Sequence, residues 1–228
     1  MYQLIIAAFI CVLFALSAKS LRRLKLYEMT TIAILIAIAV GGRAIFAAIP
    51  SIQPSSYIII LAGMMFGHGA GLVVGILTPV ISNTVLGFGD YIWFQMLAWG
   101  LMGFLAGFLP KRFYPVPVVY GALWGYLFGF ITNFWWLFAS RLPLTPATII
   151  AGNATSFPLD SMHAVCTAAL FIVLPYGAVN KIYQKITGTG NHSREMKGKF
   201  TNEKSLSTDF STDSANHDNL GSASQHTK

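Results

Sequence analysis

Hydrophobic residues along this chain gather in long runs, without the strict alternation of a half-buried strand. The runs cover residues 4–18, 29–49, 57–66, 70–86, 93–109, 116–139 and 158–183. A helix needs about 17 to 25 predominantly apolar residues to cross roughly 30 Å of hydrocarbon, and most of these runs reach that length. The pattern predicts an all-α integral membrane protein with six or seven crossing helices. Proline and glycine punctuate it. Pro50 stops the second run, and the stretch 50–54 is expected at a water-facing surface or inside protein, because its prolines cannot continue a helix. Gly67, His68 and Gly69 separate the third and fourth runs and are expected to form a tight reversal. Residues 87–91 and 140–157 are expected as loops, with the last helix starting at Pro158 and reaching Tyr183.

Composition supports this picture. The chain is 55% hydrophobic and 10% charged, whereas a soluble domain carries about 25% charged residues. The net charge of +7 invites a nucleic-acid reading, and its location argues against one. Residues 1–186 hold ten Lys/Arg and three acids, while residues 187–228 hold five of each and are neutral. The basic excess therefore flanks membrane segments, as the positive-inside rule requires. Lys19, Arg22, Arg23 and Lys25 follow the first run instead of preceding it, unlike a cleaved signal peptide. Residues 1–18 are expected to be a membrane anchor helix with its N-terminus outside. Threading from Arg22 and Arg23 then places eight of the ten basic residues on the cytoplasmic side, with Arg43 and Arg141 toward the outside. Residues 19–27 become a basic cytoplasmic loop and 28–186 a six-helix core. The polar stretch 187–228 is expected as a disordered cytoplasmic tail, too poor in apolar residues to offset the entropy of ordering.

Small residues recur at helical spacing. Gly63, Gly67, Gly71 and Gly75 are four apart, as are Gly121, Gly125 and Gly129, and Gly103 and Gly107. Such stripes let helix backbones approach closely in lipid and predict a compact bundle. Ala33, Ala37 and Gly41 make a similar stripe facing either the bundle or a partner. Cys11 and Cys166 lie in apolar runs without a CxxC or metal-type spacing and read as small buried hydrophobes.

Enzyme signatures are missing: no GxSxG elbow, HExxH or P-loop, and no paired carboxylates. The chain alone has no means to hydrolyse ATP. Polar and aromatic residues instead concentrate at the predicted outer end. They are Arg43, Gln53, Ser55, Ser56, Ser82, Asn83, Asp90, Trp93, Gln95 and Trp99, then Asn133, Trp135, Trp136, Arg141, Asn153, Thr155, Ser156 and Asp160. Amide, indole and hydroxyl groups together suit a pocket for a polar, ring-containing small molecule. Each has a plainer role: the tryptophans as interfacial belt residues, Asn83 and Gln95 as interhelical partners, and Asp160 at a helix N-terminus capped by Ser156. Arg43, about two turns inside Pro50, needs an anion, a carbonyl cluster or water. His68 and His163 are read as structural. A rival reading is an intramembrane enzyme using Asp90, Asp160 and His163, which requires Asp160 and His163 to share one cavity. A third is a purely structural membrane subunit with no outward cavity.

The string Ser82-Asn83-Thr84-Val85-Leu86-Gly87-Phe88-Gly89-Asp90, leading into Trp93, Gln95-Met96 and Ala98-Trp99-Gly100, carries a resemblance, together with Arg43-Ala44-Ile45-Phe46 and residues 50–54 ahead of it. Over roughly residues 28–186 the chain resembles the substrate-binding S-component of an energy-coupling factor (ECF) vitamin transporter, closest to the cobalamin-type branch. The resemblance implies a six-helix S-component-like bundle, here with one extra N-terminal membrane helix. It implies capture of a vitamin-like micronutrient, with cobalamin or a related corrinoid as first candidate. It also implies docking on a transmembrane coupling subunit that carries two ATPase subunits, toppling in the membrane, and ATP use in trans, with no cofactor of the chain's own. The expected substrate-binding residues are Arg43, Phe46, Gln53, Asn83, Asp90, Trp93, Gln95, Trp99, Asn133, Trp136, Asn153, Ser156 and Asp160. The expected docking stripe is Ala33, Ala37 and Gly41.

Overall fold

The structure is a computed structural model and describes residues 2–111 and 113–189. Arg112 and the expected tail from residue 190 onward lie outside the described residues. Eight helices and no strand occur among the described residues: α1 (Tyr2–Leu21), α2 (Leu26–Ile45), α3 (Pro54–Phe66), α4 (His68–Leu86), α5 (Ile92–Ala106), α6 (Pro115–Ala139), α7 (Pro146–Val173) and α8 (Tyr176–Thr187). Five of them, α1, α2, α4, α6 and α7, are long and apolar enough to cross a membrane, and α3 and α5 are shorter apolar helices. The fold is that of an all-α membrane protein.

Local chemistry explains most boundaries. Pro54 opens α3, where its missing N–H removes no helical bond. Gly67 ends α3 with φ 92° and Gly87 ends α4 with φ 104°, a region that glycine enters without steric cost. Within Met1–Ala178, α4 and α5, α5 and α6, and α6 and α7 pack antiparallel, so this bundle has two ends. The connections 46–53, 87–91 and 140–145 gather at one, called here the Asp90 end, and Gly67 lies at the other.

Two expectations about the late helices are corrected. Residues 140–157 are not a long outer loop. α7 starts at Pro146, capped by Thr145, whose hydroxyl accepts the Thr148 N–H at 3.3 Å, and continues through Pro158. An interior proline forfeits one helical bond, which neighbouring helices make tolerable in a membrane bundle. Asp160 is therefore mid-helix and not at a helix start. Nor is 158–183 one helix: Pro175 forces Leu174 out of the helical region, to φ −120° and ψ 72°, and α8 begins afresh. The compact unit ends at Ala178.

Glycines set the packing. An added Cβ at Gly121, Gly125 or Gly129 of α6 would strike Thr167, Ala164 or Asp160 of α7 respectively. Gly71 lies against Gly103, and Gly75 against the Trp99 carbonyl, which seats α4 on α5. Gly67, expected both in a glycine stripe and in the reversal, forms the reversal between α3 and α4; Gly63 and Gly71 of the stripe meet at the Gly103 backbone. α1 lies along α4 and α5, where Ile6, Ile10 and Leu13 pack with Leu72, Ile76 and Phe94. Cys11, expected to be buried, is exposed on α1. α2 buries only Ile32 and Ala39. Its Ala33 and Ala37 are exposed, and Gly41 has open space beside it.

Candidate ligand-binding site

α5, α6 and α7 splay at the Asp90 end around a cavity of about 450 Å³. Tyr91, Phe128, Trp135 and Trp136 supply its aromatic walls, and Gln95, Thr132, Asn133, Thr155 and Ser156 its polar groups. The polar side chains are pre-set by a second layer. Asn133 Nδ2 donates to Asn153 Oδ1 at 3.1 Å and to Ser156 Oγ at 2.8 Å. Asn153 in turn donates to the Ile149 carbonyl at 2.8 Å, and Ser156 Oγ donates to Asp160 Oδ2 at 2.7 Å. Gly129 leaves the space that the Asp160 carboxylate occupies.

A second network lies between α2, α4 and α5. Arg43 Nη1 donates to Ser82 Oγ and, at 2.7 Å, to Asn83 Oδ1. Asn83 Nδ2 donates to Gln95 Oε1 at 2.9 Å, which reaches the cavity wall. The guanidinium sits 5.0 Å from the centre of the Trp99 ring, close enough for a cation–π attraction. Trp99 Nε1 donates to Ser56 Oγ at 2.9 Å, and Ser56 shares a 2.6 Å hydrogen bond with His163 Nε2. Phe128 contacts both Trp99 and His163, at ring separations of 4.6 and 5.0 Å.

The expected site residues therefore fall into four groups. Gln95, Asn133, Trp136 and Ser156 line the cavity, and Asn153 and Asp160 hold them from behind. Asn83 and Trp99 are wholly buried beneath it and orient Arg43. Arg43, Phe46 and Gln53 line a separate, smaller cavity of about 280 Å³ beside the 46–53 connection. Asp90 and Trp93 are elsewhere. The Asp90 carboxylate is exposed and accepts from Gln3 Nε2 at 3.1 Å and Tyr2 Oη at 3.4 Å. Trp93 packs on the α1–α4–α5 cluster. Trp135 and Thr155 belong to the outer polar-aromatic group the sequence singles out, whereas Tyr91, Phe128, Thr132, Gly152 and Leu159 are cavity residues it does not single out. Gly152, Thr155, Ser156 and Leu159 follow a helical period, a signal that appears once residues 146–157 are taken as helix.

The intramembrane-enzyme reading is not supported. His163 is buried against Ser56 and Phe128, whereas the Asp160 carboxylate turns to Ser156 and Gly129. Asp90 is tied to α1 at the rim. No His/Cys/Asp/Glu group able to hold a metal ion occurs among the described residues.

No solved structure matches the chain. A family model described as ECF transporter, substrate-specific component, matches residues 27–186. That match spans most of the chain and all the helices that build the two cavities, and it describes a transport subunit, not an enzyme. The chain belongs to the substrate-specific components of ECF transporters, membrane subunits that bind a small-molecule substrate and associate with the ECF module.

Proposed function

We propose that this subunit captures a vitamin-like, ring-containing micronutrient from outside the cell in the α5–α6–α7 cavity. The observation that carries the reading is the cavity itself, in which four aromatic side chains face oriented amides and hydroxyls at one end of an apolar bundle. Trp136 and Trp135 pack on the rings of the ligand, and Asn133, Gln95 and Ser156 bond its polar groups. The wall is pre-organised by Asn153 and Asp160, which lowers the ordering cost of binding. The Asp90 end faces outward in this reading, because Lys19, Arg22, Arg23 and Lys111 lie at the opposite end. The exposed Ala33–Ala37–Gly41 stripe of α2 then docks on the coupling subunit, and two ATPase subunits supply ATP hydrolysis in trans. Reorientation in lipid releases the ligand inside.

A corrinoid is the first candidate, supported by the likeness of the 82–100 stretch to the cobalamin-type branch. A smaller heteroaromatic vitamin is the second reading, and one observation favours it. A cavity of about 450 Å³ lies in the lower half of the roughly 300 to 1,000 Å³ range of small-molecule sites, so a corrinoid requires the rim to open. Mass spectrometry of small molecules co-purifying with the detergent-solubilised chain tests both. A retained corrinoid or smaller ring-bearing vitamin is the expected result. Retention of neither, from cells supplied with both, removes the proposal.

A further inference from the structure

The smaller cavity is enclosed by the end of α2, the 46–53 connection and Leu86. One group on its wall is paired only in part and another is unpaired. Arg43 places Nη1 on the neutral acceptors Ser82 and Asn83, and its Nε and Nη2 find no acceptor among the described residues. The three acids of the described residues are all engaged elsewhere: Glu28 with the Lys25 N–H, Asp90 with Tyr2 and Gln3, and Asp160 with Ser156. Gln53 buries its Oε1 without a partner. A side-chain amide turns end for end at little cost, so Gln53 can present either a donor or an acceptor there.

A guanidinium within a membrane-spanning helix and without a counter-charge is costly, which makes it a mark of a ligand or ion path. Its planar fork matches a carboxylate or phosphate in two-point geometry. We infer that the Arg43–Gln53 cavity is an oxyanion subsite, taking a carboxylate or phosphate borne by the transported molecule. Arg43 donates through Nη2 and Nε, and Gln53 through its amide. Ser82, Asn83 and Trp99 are positioning residues that aim the fork. The Arg43–Asn83–Gln95 chain links this subsite to the aromatic cavity, so one ligand with rings and an acidic group engages both ends of a single network. The inference rests on the capture reading above and narrows its substrate class to acidic, ring-bearing molecules.

Trp99 reports on the site, because it is fully buried with Arg43 on its face. The experiment titrates the full chain in detergent with inorganic phosphate and, separately, acetate, with ionic strength held constant by sodium chloride. The expected result is a saturable change in tryptophan fluorescence with one or both anions, lost in Trp99→Phe and Arg43→Gln. Arg43→Lys keeps the charge but not the fork and weakens the response about five- to tenfold. Gln53→Leu weakens it by a similar factor, through loss of one charge-assisted hydrogen bond. These two milder variants, checked for monodispersity and helicity, carry the test if Arg43→Gln does not fold. The inference is overturned by no saturable change, by an equal response to chloride, or by an undiminished response in both milder variants. A response that appears only with phosphatidylglycerol in the micelle also overturns it, since the oxyanion is then a lipid headgroup. A silent titration in a chain that still retains a small molecule removes the subsite and leaves the capture reading standing. A specific response in a chain that retains nothing removes the capture reading, and with it the assignment of the subsite to a transported ligand.

Discussion

Ser56 and His163 are joined by a 2.6 Å hydrogen bond that ties α3 to α7 deep in the bundle. The same hydroxyl accepts the Trp99 indole N–H at 2.9 Å. Trp99 also carries Arg43 over its ring and meets Phe128, a wall of the larger cavity. One serine oxygen thus supports the floor of the binding region.

Ser56→Ala leaves two buried polar groups, the Trp99 N–H and a His163 ring nitrogen, without their partner. An orphaned buried group costs about 1 to 3 kcal/mol. The expected outcome is a melting temperature in detergent lower by several degrees, with weaker retention of ligand. A melting curve superimposable on that of the parent chain shows that the bond does not hold the floor.

Gly125 and Gly41 predict opposite results for the same substitution. A methyl at Gly125 falls on the backbone N and Cα of Ala164, so α6 and α7 must separate. Overpacking of this kind costs about 1 to 3 kcal/mol. A methyl at Gly41 meets nothing within 4 Å, and alanine favours helix over glycine by up to about 1 kcal/mol. Thermal melts of the two variants should therefore diverge, with Gly125→Ala lower and Gly41→Ala equal or higher. Equal melting of the two contradicts the α6–α7 contact described here.

The sequence disclosed some of this and concealed the rest for identifiable reasons. Pro54, Gly67 and Gly87 marked real boundaries because backbone chemistry alone dictates them. The start of α7 is hidden in the sequence because Pro158 resembles a start signal and Asn153, Thr155 and Ser156 resemble a loop. What holds them in the helix is the Thr145 cap before them and the α6 side chains Asn133 and Trp136 opposite, and the latter is tertiary information. Gln95, Asn133, Trp136 and Ser156 stood out as polar or amphipathic groups in apolar segments, and the cavity unites them. Trp93 and Trp99 lie six apart in a helix apolar but for Gln95, where periodicity has almost no polar side to use as a reference. Their directions, toward α1 and toward Arg43, required the packed structure.

Asn133 and Asp90 separate the cavity from its rim. Asn133 faces the cavity with both neighbours fixed, whereas the Asp90 carboxylate is exposed and bonded to α1. Asn133→Leu removes a hydrogen-bonding amide while keeping the branched side-chain skeleton, and Trp136→Ala removes a ring. Each is expected to weaken ligand binding about tenfold or more, the loss of roughly 1.4 kcal/mol or above. Asp90→Asn retains acceptor capacity for Gln3 and Tyr2 and should shift affinity less than about threefold, as expected for a solvated contact. Calorimetric titration with the ligand identified by mass spectrometry makes the comparison. An Asp90→Asn loss larger than that of Asn133→Leu places the ligand at the rim instead.

The α2 stripe concerns a different surface. Ala33 and Ala37 are exposed and Gly41 is open, although the helix they occupy is apolar. Small residues on an outward face permit close approach of another helix, which bulky residues prevent. Ile34 and Ile38 beside them are exposed too, and in a bilayer such side chains are solvated by lipid. Ala37→Trp adds bulk at an exposed position of α2. Melting and ligand retention of the isolated subunit should therefore stay unchanged. Co-purification with the coupling and ATPase subunits should fall sharply, and ligand uptake by cells with it. Ile38→Trp, one position round the helix, keeps a large apolar side chain in lipid and serves as the control that should dock. If Ala37→Trp still assembles and transports, docking uses another face of the bundle. If it loses ligand retention in isolation, α2 communicates with the cavity through Arg43, which lies six residues further along the same helix.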